Sequence, residues 1–226
     1  MRRNAWLEYC HRLLSSSSAV TVTVLMCATN HLPGQGQEVT FTNFSDTSLL
    51  QLNGSATVAT TTDGQVLQLT PATRDQAGSA FLKNPVSLGN RASFSTFFSF
   101  RLSRGGGLVD VDGVRGADGI VFVVQTLANN VGSSGGGLGY MNISNSVGIE
   151  FDTWYNAGDP AFDPQLPPGQ HNPNGTTGDG NHVAINFNGN LVDPLYAHVT
   201  DPLNNGNVWY AWIDYKGVTE NLELRL

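Results

Sequence analysis

Val147-Gly148-Ile149-Glu150-Phe151-Asp152-Thr153-Trp154-Tyr155-Asn156 lies beyond the middle of the chain and predicts a buried strand that runs into a polar loop. Apolar residues alternate with Gly148, Glu150 and Asp152, which sends the apolar side chains to one face and both acids to the other. Two acids on one strand face lie about 7 Å apart by strand rise. This spacing suits two carboxylates that hold metal ions between them.

The two acids have more than one explanation. Carboxylates brought close together repel each other and are costly to desolvate, so such a pair has a cation, shares a proton or stays in water. Two solvated acids on the open face of an antiparallel sheet are therefore an alternative. Asn156 adds a neutral oxygen, and Asp179 and His182 follow downstream. Oxygen ligands suit Ca²⁺ and an imidazole suits a transition metal, so these neighbours favour a metal site.

Length and composition indicate one β-rich domain. The chain has 226 residues, of which 40% are hydrophobic and 13% charged, with 26 Gly and 10 Pro. Short β-rich runs separated by Gly, Asn, Asp and Pro, without a long helical period, predict an all-β sandwich or barrel. The formal net charge of −7 argues against nucleic acid as a partner, because phosphate binding needs a basic face.

Residues 1–37 resemble a targeting segment. Arg2, Arg3 and Arg12 precede or flank an apolar stretch at 13–28 that is too short and too polar to span a bilayer. We interpret the segment as a cleaved secretory signal, with a disordered N-terminal extension as the alternative, and expect a secreted protein. Both cysteines, Cys10 and Cys27, lie in this segment, so no disulfide framework is available in the domain at 38–226.

The rest of the chain is predicted to form short strands and turns. Asn53-Gly54 and Asp63-Gly64 are strong hairpin signals. Residues 119–124 are nearly all apolar, as expected for a strand covered on both faces. Residues 157–180 predict a long irregular loop, which in compact domains tends to be functional or disordered. Strands are predicted at 39–44, 49–52, 65–69, 79–82, 94–100, 119–124, 147–152, 182–187, 208–215 and 222–226.

Five sequence motifs of the chain occur in the same order and at similar spacing as in one family of domains. They are the hairpin segments at 66–70 and 78–86, the F-x-T-x-F-x-F strand at 94–100, A-D-G-I-V-F at 117–122, G-G-G-L-G at 135–139 and the E-F-D-T-W-Y-N signature ending at Asn156. Together they resemble the L-type (legume-type) lectin domain, including its bacterial relatives, within the concanavalin A-like lectin and glucanase superfamily. The resemblance covers about 39–226. It implies an antiparallel jelly-roll β-sandwich with a flat and a curved sheet and a metal-supported sugar site on the concave side.

The resemblance also implies a set of metal ligands. Glu150, Asp152 and His182 would hold a transition ion such as Mn²⁺. Asp152, the carbonyl oxygen of Trp154 and Asn156 would hold Ca²⁺, and a further aspartate would bridge both ions. An ordinary polar-face histidine is the alternative for His182.

Sugar contacts are implied in the same way. Asp118, Asn156 and a backbone N–H near Gly136 would hydrogen-bond sugar hydroxyls, and the Trp154 ring would stack on the apolar face of a pyranose. Asp118 could instead cap a turn, and Trp154 could be a rim aromatic that packs on the long loop.

Two features depart from the family pattern. The family places the bridging aspartate a few residues after the asparagine and about five before the histidine, whereas Asn156 and His182 are 26 positions apart here. Asp159 fits the first spacing and Asp179 the second. We expect Asp179, because an inserted loop can bulge outward while the acid stays beside the strand of His182.

The second departure concerns the C-terminal end. Family domains continue past a segment like 222–224 with further strands and a variable loop. We therefore expect a sandwich without its last C-terminal strands, either because the chain is a fragment or because the sandwich is completed differently. A missing strand would leave an exposed edge.

Three functions compete on this basis. The first is a non-catalytic, Ca²⁺- and Mn²⁺-dependent carbohydrate-binding domain whose partners are glycans. The second is a structural or adhesive sandwich with a degenerate sugar site. The third is a glycoside hydrolase of the related jelly roll, which places E-x-D-x-E along one strand; retaining chemistry needs carboxylates about 5–5.5 Å apart. Trp154 occupies the third position here, so the acid/base is missing and we expect no enzyme.

Overall fold

The computed structural model describes residues 37–86, 88, 91–103, 108–132, 135–156 and 163–226. The proposed leader, up to residue 36, and Asp159 lie outside these residues. In the described ranges no helix is both long and apolar enough to cross a membrane. The regular elements there are β1 (Leu50–Gly54), β2 (Thr57–Thr61), β3 (Gly64–Gln68), β4 (Gly78–Leu82), β5 (Phe94–Phe100), β6 (Gly119–Gln125), β7 (Ser146–Asp152), β8 (His182–Phe187), β9 (Asn190–His198), β10 (Trp209–Lys216) and β11 (Asn221–Arg225).

The strands form two main sheets. The larger has the order β6-β7-β8-β9 and the smaller the order β11-β10-β5, and every pairing in both is antiparallel. Two-stranded sheets form from β1 with β4 and from β2 with β3. The two main sheets share one core, which makes the fold a β-sandwich, as the sequence predicted.

The core between the sheets comes from the alternation of β5 and β7. Phe98 and Phe100 of β5 pack on Phe151 of β7, with ring centroids 6.0 and 4.9 Å apart. Ile149 and Ile213 are fully buried in the same cluster. Because side chains alternate along a strand, the face of β7 that packs here is the apolar one. Glu150 and Asp152 consequently lie on the opposite face.

The second face of the larger sheet is covered as well. Tyr140 packs there with Ile143 and Leu191 in a separate apolar cluster. Gly148 makes room for it, since a Cβ atom at that position would lie 2.7 Å from the Tyr140 ring. β6 contacts both clusters with alternate residues, so the prediction of a strand covered on both faces is confirmed.

The N-terminal part of the domain differs from the prediction. Residues 39–44 are irregular, although Phe41 and Phe44 are buried and their rings stack with centroids 5.4 Å apart. The side chain of Asn43 accepts the N–H of Ser45 at 3.1 Å. Such local side-chain bonds compete with a strand ladder, which explains why an alternating sequence forms no strand here.

Strand pairing corrects one of the two predicted hairpins and adds two strands. β1 pairs with β4, with Gly54 opposite Gly78, so Asn53-Gly54 does not close a hairpin. The turn at Asp63-Gly64 does close one, between β2 and β3. β2 and β9 were not predicted. β9 contains Pro194, which removes a backbone donor and is tolerated because, among the described residues, this strand pairs on one side only.

Candidate metal and carbohydrate site

The centre of the site is a buried cluster of Glu150, Asp152 and His182. One ligand atom from each lies within 4.8 Å of the others. Their exposed fractions are 1%, 3% and 0%. β7 supplies both acids from one face and β8 supplies the histidine, so these three side chains lie together in the structure.

Neighbouring groups orient the histidine for metal binding. His182 Nδ1 lies 2.9 Å from the carbonyl oxygen of Asp179. A carbonyl oxygen only accepts, so Nδ1 carries the hydrogen and, in the neutral ring, Nε2 presents its lone pair. Nε2 is the atom that faces Glu150, at 4.0 Å from Oε1. A histidine whose far nitrogen is fixed in this way matches the usual arrangement of a metal ligand.

Glu150 is oriented from its other side. Asn186 Nδ2 donates to Glu150 Oε2 at 2.5 Å. Asn186 is itself fully buried, on the face of β8 that also carries His182. The acid therefore has one oxygen directed to the amide and the other to the histidine. This polar support fits a carboxylate that is held in place for a ligand.

In the loop after β7, four successive backbone N–H groups each donate a hydrogen bond to an aspartate. The N–H of Thr153 donates to the carbonyl oxygen of Asp118 at 3.0 Å. The other three donate to carboxylates: Trp154 to Asp152 at 2.5 Å, Tyr155 to Asp110 at 2.9 Å and Asn156 to Asp163 at 2.6 Å. Hydrogen bonds to charged acceptors are stronger than neutral ones, so this loop has little freedom to rearrange. These bonds fix the backbone of 153–156, including the carbonyl oxygen of Trp154 and the Cα atom that carries the Asn156 side chain.

Asp163 and Asp110 are the site residues that the sequence reasoning missed. Both are buried, with exposed fractions of 5% and 7%. Asp163 also raises the pKa of Asp152 by its charge, which places it electrostatically beside the cluster. Its position seven residues after Asn156 was the signal available in the sequence.

Asp179 has different partners from those expected. Its carboxylate lies 3.0 and 3.1 Å from His198 Nδ1 and accepts the N–H of Asn181 at 3.0 Å. Its carbonyl oxygen lies 2.9 Å from Nδ1 of His182. Among the described residues, Asp163 is an aspartate whose carboxylate binds the N–H of Asn156 and whose charge acts on Asp152.

Electrostatics favour a cation at the cluster. Burial raises the pKa of Asp152 well above its usual value, and the neighbouring charges of Glu150 and Asp163 raise it further. An uncompensated group of buried carboxylates is costly, and a divalent cation removes that cost. With one imidazole nitrogen and several oxygens available, the donor set fits a divalent cation.

The proposed sugar contacts lie around the same loop. A Cβ atom at Gly136 would lie 2.5 Å from Asn156 Nδ2, so the Gly-rich turn contacts that amide. Leu138 of this turn reaches Gly119, the neighbour of Asp118. Asp118 follows a cis peptide bond and is half-buried, and this burial raises its pKa. The structure thus brings the turn, Asp118 and Asn156 to one place, with Trp154 half-exposed in the intervening loop.

Comparisons with known proteins agree with this geometry. The family model described as the legume lectin beta-barrel domain matches residues 39–226. A probable L-type lectin-domain containing receptor kinase S.7 of Arabidopsis thaliana is 30% identical over 62% of this chain and 20% of its own length. Receptor kinase VIII.1 of the same plant is 28% identical over 88% of this chain and 26% of its own. The chain thus spans about a quarter or less of these two relatives.

Smaller relatives and a solved structure point the same way. The anti-H(O) lectin of Lotus tetragonolobus is 33% identical over 53% of this chain and 54% of its own length. The structure of lectin I from Ulex europaeus, in complex with the methyl glycoside of α-L-fucose, aligns with a TM-score of 0.54 and 18% identity, over 82% of this chain and 78% of that one. This likeness confirms the predicted concanavalin A-like jelly roll. With the family match over residues 39–226, it shows that the chain belongs to the legume (L-type) lectin family of carbohydrate-binding domains.

Proposed function

We propose that residues 38–226 form a non-catalytic, metal-dependent carbohydrate-binding domain, and that its ligand is an oligosaccharide or glycoconjugate. The observation that carries this proposal is the loop at 153–156, whose four backbone N–H groups are held by aspartates beside a buried acid and histidine cluster. A loop fixed in this way loses little conformational entropy when sugar hydroxyls bind.

The metal ligands follow from the donor atoms. Glu150, Asp152 and Nε2 of His182 would hold a transition ion such as Mn²⁺. Asp152, the carbonyl oxygen of Trp154 and Asn156 would hold Ca²⁺. We assign the bridging position to Asp163 in place of Asp179, because Asp163 binds the N–H of Asn156 and raises the pKa of Asp152. When bound, the ions neutralise the buried acids and keep their oxygens in place.

The sugar site lies next to these ligands. Asp118 would accept hydrogen bonds from sugar hydroxyls, and Asn156 and the backbone N–H of Gly136 would donate. The half-exposed Trp154 ring would cover an apolar pyranose face, and burial there contributes about 25 cal/mol per Å² of apolar area as an upper estimate. The contact between Gly136 and Asn156 supports this grouping.

We further propose binding without catalysis and a secreted location. Trp154 stands where a related hydrolase would carry its acid/base glutamate, which supports the first statement. For the second, the support is the basic and apolar pattern of residues 1–37, read as a cleaved secretory signal.

A glycan array with matched variants tests the proposed function. The wild-type chain, loaded with Ca²⁺ and Mn²⁺, is compared with Asp118→Ala and with Asp201→Ala, which removes an exposed carboxylate elsewhere. We expect the wild type and Asp201→Ala to bind the same glycans, and Asp118→Ala to lose binding while its metal content and melting temperature stay unchanged. Unchanged glycan binding by Asp118→Ala would contradict the assigned site, and unfolding would give Asp118 a structural role instead.

A further inference from the structure

A second polar cavity lies outside the cluster of Glu150, Asp152 and His182. Its volume is about 230 Å³, and its lining includes Asp112, Asp179, Asn181, His198 and Thr200. None of its described lining residues is lysine or arginine. Its lining carries two carboxylates and one histidine, a set of groups that favours a cation or a ligand rich in hydrogen-bond donors.

The histidine in this cavity has a defined tautomer. His198 Nδ1 lies 3.0 and 3.1 Å from the two carboxylate oxygens of Asp179. Asp179 is 1% exposed and also accepts the N–H of Asn181, so its carboxylate is fixed. Because a carboxylate accepts from Nδ1–H, Nε2 of the neutral ring keeps a lone pair. The His198 side chain is 22% exposed, which leaves it accessible to a ligand.

Asp112 supplies an oxygen ligand from a separate, well-anchored turn. Asp112 Oδ1 accepts the N–H of Val114 at 2.7 Å, and its other oxygen has no such intramolecular bond in the described chain. The neighbouring Asp110 fastens this turn through the N–H of Tyr155 and packs against Gly180, which also lines the cavity. The turn therefore carries Asp112 to the cavity without needing to rearrange.

We propose that this cavity binds a borderline divalent transition ion such as Zn²⁺. Nε2 of His198 is the nitrogen ligand, the Asp112 carboxylate is the oxygen ligand, and water completes the coordination. A histidine backed by a buried carboxylate is the arrangement that orients and strengthens an imidazole ligand. An imidazole nitrogen selects Zn²⁺, Cu²⁺ or Ni²⁺ over Ca²⁺ and Mg²⁺. The site uses neither of the acids nor the histidine assigned above; Asp179 contacts both sites, with its carboxylate toward His198 and its carbonyl oxygen toward His182.

Zinc uptake by the full chain tests this proposal. The protein is first saturated with Ca²⁺ and Mn²⁺, then titrated with Zn²⁺ by calorimetry, with bound zinc and manganese counted by mass spectrometry. His198→Gln removes the nitrogen ligand, and His171→Gln is the matched control because His171 is exposed in the loop. We expect the wild type and His171→Gln to bind one more zinc ion than His198→Gln, with equal manganese content and equal glycan binding in all three.

Asp179→Asn separates the role of the supporting carboxylate from simple folding. The amide can donate to Nδ1, which moves the ring hydrogen to Nε2 and blocks the ligand atom. Substitutions of such supporting groups lower metal affinity by roughly 10- to 100-fold, and we expect a loss in that range. In the metal-free wild type, long-range ¹H–¹⁵N spectra should show His198 with its hydrogen on Nδ1.

Several outcomes would overturn the proposal. Equal zinc uptake by the wild type and His198→Gln would do so, as would an unchanged affinity in Asp179→Asn. Loss of manganese in His198→Gln would mean that His198 acts on the other cluster. Binding of a simple methyl glycoside that depends on His198, without extra zinc, would make the cavity a sugar pocket instead.

Discussion

Gly136→Ala tests how closely the Gly-rich turn approaches the side-chain amide of Asn156, which we propose binds the sugar. A Cβ atom there would lie 2.5 Å from Asn156 Nδ2, whereas ordinary contact begins at 3.4 Å. The amide must therefore move by about 0.9 Å, the difference between these distances. Such a shift removes one or two hydrogen bonds to the ligand, at about 0.5–1.5 kcal/mol each. We expect the glycan Kd to rise by roughly 2- to 140-fold, since 1.4 kcal/mol corresponds to a factor of ten.

Calorimetric titration with a glycan selected from the array measures this effect. Gly137→Ala is the matched control, because its Cβ would meet the Met141 side chain at 2.9 Å and not Asn156. We expect Gly137→Ala to lower the melting temperature slightly and to retain glycan affinity. Wild-type affinity in Gly136→Ala, or an equal loss in both variants, would refute the assigned contact between the turn and the amide. Calcium content should be measured in parallel, since Asn156 is also a proposed Ca²⁺ ligand.

Three further predictions concern the charged and buried groups. Burial raises the pKa of Asp110 from 3.8 to about 6, so the folded chain binds more protons than the unfolded one and loses stability as pH rises through this window. Asp110→Asn, which keeps an oxygen acceptor for Tyr155, should remove that slope and raise stability above pH 6 by about 1–2 kcal/mol in urea unfolding, less than the full value of the pKa shift because solvent screens this carboxyl; an unchanged slope would contradict it. Because the pKa of Asp152 is raised well above its usual value, protons compete with the ion, and Mn²⁺ affinity should fall by about tenfold per pH unit below that pKa; calorimetry showing affinity independent of pH would count against the cluster. Tyr140→Phe removes the buried hydroxyl that donates to the carbonyl of Asn186, and should cost about 0.5–1.5 kcal/mol without affecting glycan affinity; a loss of glycan binding in this variant would be inconsistent with its packing role.

The sandwich could be predicted because the strands that form its two inner faces carry apolar side chains at alternate positions. Residues 94–100 and 147–152 place aromatic and aliphatic side chains at every second position, and these side chains meet in the core. The same alternation put Glu150 and Asp152 on the opposite face, where His182 joins them. Elements without a period, or with a competing local bond, were not predictable. Residues 39–44 alternate but bend at Asn43, and β9 contains Pro194.

Other contacts of the site join segments that are far apart in the sequence, and no local sequence pattern predicts them. Asp110 and Asp163 reach the 153–156 loop from a turn and from an irregular segment. Sequence distance favoured Asp179 as the bridging acid because it lies three residues before His182. In the structure, the carbonyl oxygen of Asp179 contacts His182, whereas the carboxylate of Asp179 binds His198. Proximity along the chain therefore indicated that this segment contacts His182, but not which atom of Asp179 makes the contact.

Metal ions held by the buried cluster are proposed to support glycan binding. The most direct measurement is glycan affinity of the full chain before EDTA treatment, after removal of EDTA and metal, and after return of Ca²⁺ and Mn²⁺, with metal content verified at each step. We expect binding to disappear with the metals and to return with them. Full glycan affinity in verified metal-free protein would contradict the account and would leave the Glu150, Asp152 and His182 cluster without a role in binding.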